Sequence, residues 1–578
     1  MATYYAVAAG GNWKTAATWS LVATADATRT GATGAVPTVA DTVMIDAYSG
    51  LVTIDGTDCT CAILNMTGSN DTHVFDTGMK LTVAGNCTLA GTLAGTGTLH
   101  LSGTCAFTVV STFTGSLELS GAGTKTLSAA IHIAGSLTVS GATDVVVGGN
   151  FAITCAGLNL SGSAKISNGA ATTSIILDGG TWSAAGGATA IVEVPLSFAG
   201  TITVSGDVYF GAKTLTWSSG SITTTSSTLH LTSVCTVNTP TANMSWAAVS
   251  LGATANFTLT AAATLTGSLT VASTFTATLV TSGLTCVGLV TTGILAGDVI
   301  VTLSGGTWSC GASGSLKTGL TFNSAGTITL SGNLNFQPAA TAKTILWTAG
   351  TIVNTGSNLS ISSACILHTN TTGMKWRDIT INGTTTVTLT DAATAEGTLY
   401  LAASAALTLA TADLTVAGIT LGASSSIANG RTITMRGGTW QCSSVEGTPT
   451  IGCNLTFEGS VSVGGTTIKD VWYGNAANPT LSWESGLVST AGSTLNIPAA
   501  CTLTTPTADM SWTNILVTGT TTVTLSSNAT MTGLLTTGAS AALTLATADL
   551  TVGGGITLNA SSTIVGTGRT ITLTGGTW

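Results

Sequence analysis

Charged residues are scarce in this chain, where they make up 6% of 578 residues, although about a quarter is usual. The 14 Lys and Arg residues are too few for the basic surface that neutralises phosphates, which argues against nucleic acid as a partner. Proline is also rare, with 8 residues. Hydrophobic residues still reach 44%, so the chain can bury a large core and lacks the composition of a disordered protein.

Long apolar runs are missing as well, and no run of the length that crosses a bilayer occurs, so we expect no membrane insertion. The first residues, MATYYAVAAGGNWKTAATW, lack the basic region and apolar core of a secretory signal. We therefore expect the chain to fold in the cytoplasm. The 12 Cys residues are scattered singly apart from Cys59 and Cys61, and we expect reduced, buried thiols that pack as small apolar groups.

Clusters of residues that carry chemistry are not visible either. The five His residues have no i,i+2 or HExxH partner, which argues against a zinc site. Glycoside hydrolysis needs two carboxylates in one cleft, and most acids after residue 110 are scattered; Asp413 and Asp549 recur in register and are interpreted as turn caps. We predict no catalytic residue, no cofactor, no metal and no enzymatic activity; a polysaccharide depolymerase is the least favoured alternative.

Short runs of alternating side chains fill most of the sequence. TVTL, TLYL, ALTL, DLTV and GITL follow one another between residues 386 and 421, with aliphatic residues facing one way and mostly Thr the other. Turn-forming residues separate the runs, and no helical stripe of apolar residues occurs. The pattern predicts an all-β protein, an elongated β-solenoid resembling a β-helix, with tandem small β-sandwich domains as the alternative.

Tryptophan-bearing motifs repeat in a fixed order along the chain. The motif GGTW recurs at intervals of 308−182 = 126, 440−308 = 132 and 578−440 = 138 residues, and a Cys recurs in step with it. Residues that recur once per repeat occupy equivalent core positions in repeat proteins, so we predict these residues to be structural landmarks. They are Trp182, Trp217, Trp246, Trp308, Trp347, Trp376, Trp440, Trp483, Trp512, Trp578, Cys235, Cys365 and Cys501.

The repeats divide the chain into a head and a shaft. We predict an N-terminal β head or attachment region at 1–110, a first shaft segment at 111–182, and super-repeats of about 130 residues at 183–308, 309–440 and 441–578. Because Trp578 is itself a repeat landmark, we expect the shaft to continue beyond it, since an uncovered solenoid end invites edge-to-edge association.

The N-terminal text resembles a known module. A short aromatic strand, a turn with Trp13, a second Trp at 19 and the pattern VPTVADTVMID with Pro37, Asp41 and Asp46 resemble the N-terminal module of bacteriophage tail-fibre-like and virion-associated proteins. Related text occurs in bacterial surface adhesins with β-strand repeats. The resemblance covers about 70 residues and does not extend into the shaft.

The resemblance implies a structural fibre of a bacteriophage virion, assembled in the host cytoplasm. Its head would dock on other virion proteins, and its shaft would display a host-attachment tip that binds a surface glycan or protein. Fibres of this kind are commonly homo-oligomers, often trimers. The alternative is a bacterial surface adhesin or extracellular filament subunit, located at the cell surface.

Overall fold

Strands dominate the structure. The computed structural model describes all residues except 25–28, 31–34, 110–112, 122–123, 142–143, 212, 225, 239–244, 253–254, 259–261, 273–274, 281–282, 339–342, 355, 370–374, 444–447, 465–469, 475–477, 486–487, 491, 505–510 and 519–520. Strands take 59% of the residues, and short 3₁₀ turns occur at Ala16–Thr18 and Gly187–Thr189. Within the described residues, no helix has the length and apolarity needed to cross a membrane.

The chain forms two compact units, residues 1–285 and 286–578, and both are parallel β-solenoids. Each turn of the chain contributes one short strand to each of three columns, and a strand pairs in parallel with the equivalent strand one turn later. The predicted solenoid is confirmed, and the sandwich alternative is not what the chain forms. A column of 13 strands at about 4.8 Å spacing rises on the order of 60 Å along its own axis.

The first column of unit 1 comprises Thr3–Ala6, Thr42–Met44, Ile63–Asn65, Cys87–Leu89, Cys105–Val109, Thr124–Leu127, Asp144–Gly148, Lys165–Ser167, Ile191–Glu193, Val208–Phe210, Thr228–Leu231, Ala248–Leu251 and the second half of Ala263–Val271. The second comprises Gly11–Asn12, Val52–Ile54, Thr72–Phe75, Thr92–Gly95, a bridge at Phe113, the first halves of Ile131–Gly141 and Ala152–Gly162, Ser174–Leu177, Leu196–Phe198, Thr214–Trp217 and Thr236–Asn238. The third comprises Cys59–Cys61, Lys80–Val83, Thr98–Leu101, Ser116–Ser120, the second halves of Ile131–Gly141 and Ala152–Gly162, Thr181–Ala184, Ile202–Ser205 and Ile222–Thr224.

The alternating sequence pattern decides which side chains enter the interior. Leu81, Leu99, Leu117, Leu137 and Leu158 stand in one ladder of the third column, each paired with the next, and all are buried. Their neighbours along each strand point outward and are mostly polar. Because strand side chains alternate between the two faces of a sheet, a two-residue period is sufficient to build a continuous aliphatic core.

Unit 2 repeats the architecture. Its first column comprises Ile300–Leu303, the first halves of Gly319–Ser331 and Lys343–Asn354, Cys365–Thr369, Thr386–Leu389, Ala406–Leu409, Ser426–Ala428, Thr450–Ile451, Val471–Trp472, Thr494–Ile497, Asn514–Val517, Leu535–Thr537 and Ile556–Leu558. Its second comprises Gly306–Cys310, the second halves of Gly319–Ser331 and Lys343–Asn354, Lys375–Trp376, the first halves of Ala393–Leu401 and Leu414–Leu421, Thr432–Met435, Asn454–Phe457, Thr480–Trp483, Cys501–Thr504, Thr522–Leu525, Ala542–Leu545 and Thr563–Val565. Its third comprises Ile294–Gly297, Ser315–Leu316, Leu334–Phe336, Asn358–Ile361, Asp378–Ile381, the second halves of Ala393–Leu401 and Leu414–Leu421, Thr439–Cys442, Val461–Val463, Val488–Ser489, Ser511–Trp512, Ala529–Met531, Leu550–Val552 and Ile571–Leu573.

The super-repeat does not correspond to a whole number of turns. In unit 2, Trp308 lies in the second column, and the equivalent Trp440 lies in the third. Thr577, beside Trp578, pairs with Gly555 at the start of the first column's last strand. Each repetition of the sequence therefore moves equivalent residues to the next column, so each of the three columns of unit 2 receives one copy of the motif.

The double glycine of GGTW allows the chain to turn close to the preceding coil. The second glycine of each copy has a positive φ: 70° at Gly180, 63° at Gly306, 69° at Gly438 and 72° at Gly576. A Cβ atom at Gly438 would overlap the carbonyl oxygen of Ala417 one turn earlier. Only glycine combines this left-handed conformation with such a close backbone approach, which explains why the motif recurs unchanged.

Candidate functional site: the N-terminal cap and the repeat landmarks

Residues 1–51, which we call the cap, include the strands that cover the first turn of unit 1. Thr3–Ala6 pairs in parallel with Thr42–Met44 and antiparallel with Trp19–Ser20. Trp13 and Trp19 are fully buried, with ring centroids 4.9 Å apart in an edge-to-face arrangement. The Trp19 indole Nε1–H donates to the Trp13 carbonyl at 2.8 Å. The two tryptophans of the N-terminal module thus form a small aromatic core within this cap.

Asp41 joins the chain's first residues to the loop that precedes its strand. Its Oδ1 accepts from the N–H of Ala2 at 2.8 Å, and its Oδ2 accepts from the hydroxyl of Thr38 at 2.6 Å. The hydrogen bond from Thr38 is the main reason that the pKa of Asp41 lies below its usual value. Pro37, immediately before this loop, is buried.

Asp46 forms the most buried ion pair of the cap. Arg29 donates to both of its carboxylate oxygens, at 3.0 and 2.7 Å, and the Arg29 side chain is only 2% exposed. The guanidinium also lies 5.2 Å from the Tyr5 ring centroid and donates to the carbonyl of Ala6. Desolvation is the largest influence and raises the pKa of Asp46, but the hydrogen bonds from Arg29, the Tyr48 N–H and Ser49, together with the charge of Arg29, outweigh it, so the net shift is downward.

Arg29 was missed in the sequence analysis because nothing near it in sequence indicates its partner. The available signal was the rarity of basic residues: Arg29 and Lys14 are the only two before residue 80. In a chain with so few charges, a basic residue within an acidic segment is a good candidate for a buried pair.

Large exposed apolar side chains are numerous on this cap and again between residues 534 and 578. Of fifteen large hydrophobic residues that the described structure leaves exposed, six lie within the first 51 residues. They are Met1, Leu21, Val22, Val39, Tyr48 and Leu51. Where exposed apolar groups adjoin one another in a patch, they commonly mark a surface that another protein covers.

The repeat landmarks form aromatic clusters in the interior. Three segments of the chain align, residues 174–258, 300–390 and 432–526, and we call them segments 1, 2 and 3. In segment 2, Trp308 packs against Phe322 at 5.9 Å and against Trp376 at 6.4 Å, and Phe322 packs against Trp347 at 6.3 Å. Segment 1 has the same arrangement, with Trp182 at 5.8 Å from Phe198 and 6.3 Å from Trp246.

In segment 3, a tyrosine takes the place of one tryptophan that packs against the GGTW tryptophan. Trp440 packs against Phe457 at 6.3 Å and against Tyr473 at 6.2 Å, and Phe457 packs against Trp483 at 5.8 Å. Trp512 is buried as well. The phenylalanines were not predicted as landmarks, although their spacings, 322−198 = 124 and 457−322 = 135, follow the repeat.

The landmark cysteines are buried and the last landmark tryptophan is exposed. Cys235, Cys365 and Cys501 are at most 3% exposed, and burial raises the pKa of each thiol to about 12. Protonated thiols of this kind pack as apolar groups. Trp578, by contrast, is 66% exposed.

Acidic side chains on the outer surface have polar or cationic partners. Asp413 and Asp549 accept from the N–H of Thr432 at 2.8 Å and of Thr570 at 2.9 Å, so both cap turns. Lys165 lies 2.7 Å from the carboxylate of Glu193 and 3.9 Å from Asp144. Among the described residues, no group of three or more His, Cys, Asp or Glu is placed to hold a metal ion.

Comparisons with protein-family models, with curated proteins and with solved structures find no match to this chain. The fold and the contacts described above are therefore the basis on which a function can be proposed.

Proposed function

We propose that the protein is a structural fibre of a bacteriophage virion, docked through its N-terminal cap and displaying a host-attachment region. The observation that carries the proposal is the presence of six exposed large apolar residues on the cap that the resemblance assigns to docking. Among the described residues of the rest of unit 1, the large hydrophobic residues left exposed are Phe151 and Val234.

The solenoid supports a mechanical role. Among the residues that the structure describes, its strands are hydrogen-bonded to the preceding and following turns, so the backbone groups along each column are paired from turn to turn. Aromatic clusters recur inside, and ion pairs on the outside join side chains of different turns. These features suit a rigid spacer that needs neither cofactor nor catalysis. We propose as well that several copies of the chain assemble side by side.

Peptide mass spectrometry across a density gradient of particles from the source culture tests the proposal. Co-sedimentation of this chain's peptides with DNA-filled particles is the expected result. Peptides that instead follow cell envelopes or free filaments would contradict it and favour the adhesin.

Docking through the cap has its own test with a matched control. Val22→Ser combined with Val39→Ser should reduce incorporation into particles, because both side chains are more than half exposed on the cap. Val353→Ser combined with Val565→Ser, at exposed positions of unit 2, should leave incorporation unchanged. Equal incorporation of both pairs would overturn docking through the cap.

A further inference from the structure

A groove of about 620 Å³ crosses five successive strands of the first column of unit 2. These strands begin at Ile300, Gly319, Lys343, Cys365 and Thr386. The volume is in the range of sites that bind small organic ligands. The groove lies on the outer face of the sheet, because its lining residues alternate along each strand with the residues that point into the core.

The floor of the groove is aliphatic where most of the solenoid surface carries hydroxyl groups. Ile300 is 54% exposed, and Leu346 and Ile366 are half-buried. Gly319 stands between Ile300 and Thr344 in the same ladder. Having no side chain, Gly319 leaves the depression into which the neighbouring side chains open.

Ion pairs border the groove on two sides. Lys343 Nζ lies 3.2 Å from Asp298, and His368 Nδ1 lies 2.7 Å from Asp391. Thr390 adds a hydroxyl 2.8 Å from His368 Nδ1. Each carboxylate faces a basic group, so the rims offer donors and acceptors in balance.

Segments 1 and 3 provide internal references, because their strands pair in the same register. At the positions of Ile300, Leu346 and Ile366, segment 1 has Ser174, Thr216 and Thr236, and segment 3 has Thr432, Ser482 and Thr502. All six reference residues are half-buried hydroxyl residues. Three changes from hydroxyl to aliphatic side chains therefore coincide in one groove.

The polar lining has diverged as well. Gly319 corresponds to Asn454 in segment 3, whose side chain accepts from the N–H of Thr480 at 2.9 Å and occupies the space that Gly319 leaves open. His368 corresponds to Thr504, which hydrogen-bonds Ser526 at 2.6 Å. Both segments bury a Trp–Phe–Trp cluster, so a shared interior arrangement is compatible with either set of outward residues.

We propose that this groove binds a neutral saccharide. Sugar rings combine aliphatic C–H faces with hydroxyl groups that both donate and accept, and this groove pairs an aliphatic floor with carboxylate, ammonium, imidazole and hydroxyl groups at its rim. The groove carries two carboxylates and one lysine ammonium group, so it has no excess of positive charge, which disfavours a polyanion. The inference concerns the purified chain alone and does not rest on the virion role.

Variants that restore the residues of segment 3 test the proposal. Gly319→Asn fills the depression, and Ile300→Thr with Leu346→Ser and Ile366→Thr removes the aliphatic floor. Each new residue already occupies the equivalent strand position in segment 3, so we expect these variants to fold. Ala406→Thr, in the same column outside the groove, is the matched control.

Binding is measured for the full chain on an array of bacterial surface glycans with neutral and acidic repeats. The wild type and Ala406→Thr should bind neutral glycans, and both groove variants should lose affinity about tenfold or more, a loss of roughly 1.4 kcal/mol. Absence of binding by the wild type, a preference for acidic glycans, or unchanged binding by Gly319→Asn would each overturn the proposal. The proposal would also be overturned if no glycan bound and the groove variants lost self-association. The groove would then be a contact with a second copy of the chain.

Discussion

Segments 2 and 3 both lie in unit 2 and can be compared position by position. Inside, Trp308 packs on Phe322 much as Trp440 packs on Phe457, at centroid distances of 5.9 and 6.3 Å. Outside, the floor of a groove in segment 2 is replaced by hydroxyl residues in segment 3. The comparison teaches that the buried aromatic cluster maintains the turn geometry, while outward positions are free to acquire a binding role.

The largest effect should come from breaking the shared interior. Trp308→Ala and Trp440→Ala should each lower the free energy of unfolding by about 3–5 kcal/mol, because each leaves a cavity where a fully buried ring packed. Denaturant titration measures the loss. A loss at only one of the two positions would show that the clusters are not equivalent.

The cap depends on a different interaction, a buried ion pair. Asp46→Ala should destabilise the cap by roughly 3–5 kcal/mol, because it leaves the Arg29 guanidinium buried without its carboxylate partner. Hydrogen exchange of the first 60 residues measures this local stability. Lys14→Ala, which removes the exposed pair with Asp58, is the control and should have little effect. A similar loss in both variants would contradict the argument from burial.

Gly438 allows a test of whether the second glycine of GGTW is required for the turn. Gly438→Ala should cost about 1–3 kcal/mol, because φ is 69° and the added methyl group meets the Ala417 carbonyl oxygen. Gly430→Ala, at a glycine whose Cβ would meet no atom within 4 Å, is the matched control. Denaturant midpoints of the two variants measure the difference, and equal midpoints would contradict this role for GGTW.

Acid should affect the cap before the aromatic interior. The pKa values of Asp41 and Asp46 are lowered in the folded state, so the stability they contribute is complete above their unfolded pKa, about 3.9. It is lost as the pH falls through the folded values. Hydrogen exchange, resolved to the fragments that contain Trp13 and Trp19, should report opening of the cap below a pH of about 4. Opening that begins near neutral pH would contradict this assignment.

The sequence predicts the fold class because a two-residue period and recurring landmarks are local properties of the chain. It does not predict the columns, since the register between turns depends on how many residues each corner uses. Arg29 pairs with Asp46, 17 positions away, and Ile300, Leu346 and Ile366 meet across three turns. Such sites become visible only when the pairing of the turns is known.

The smallest effect should come from exchanging outward residues between the two segments. Ile366→Thr in segment 2 and Thr502→Ile in segment 3 should each change the free energy of unfolding by no more than about 0.5 kcal/mol, because both positions are half-buried on the outer face. Denaturant titration checks the pair against Trp308→Ala. A loss of about 2 kcal/mol or more in Ile366→Thr would mean that the aliphatic floor stabilises the fold. If neither substitution changes the free energy of unfolding appreciably, stability does not explain why segment 2 differs, and ligand binding remains as the reason.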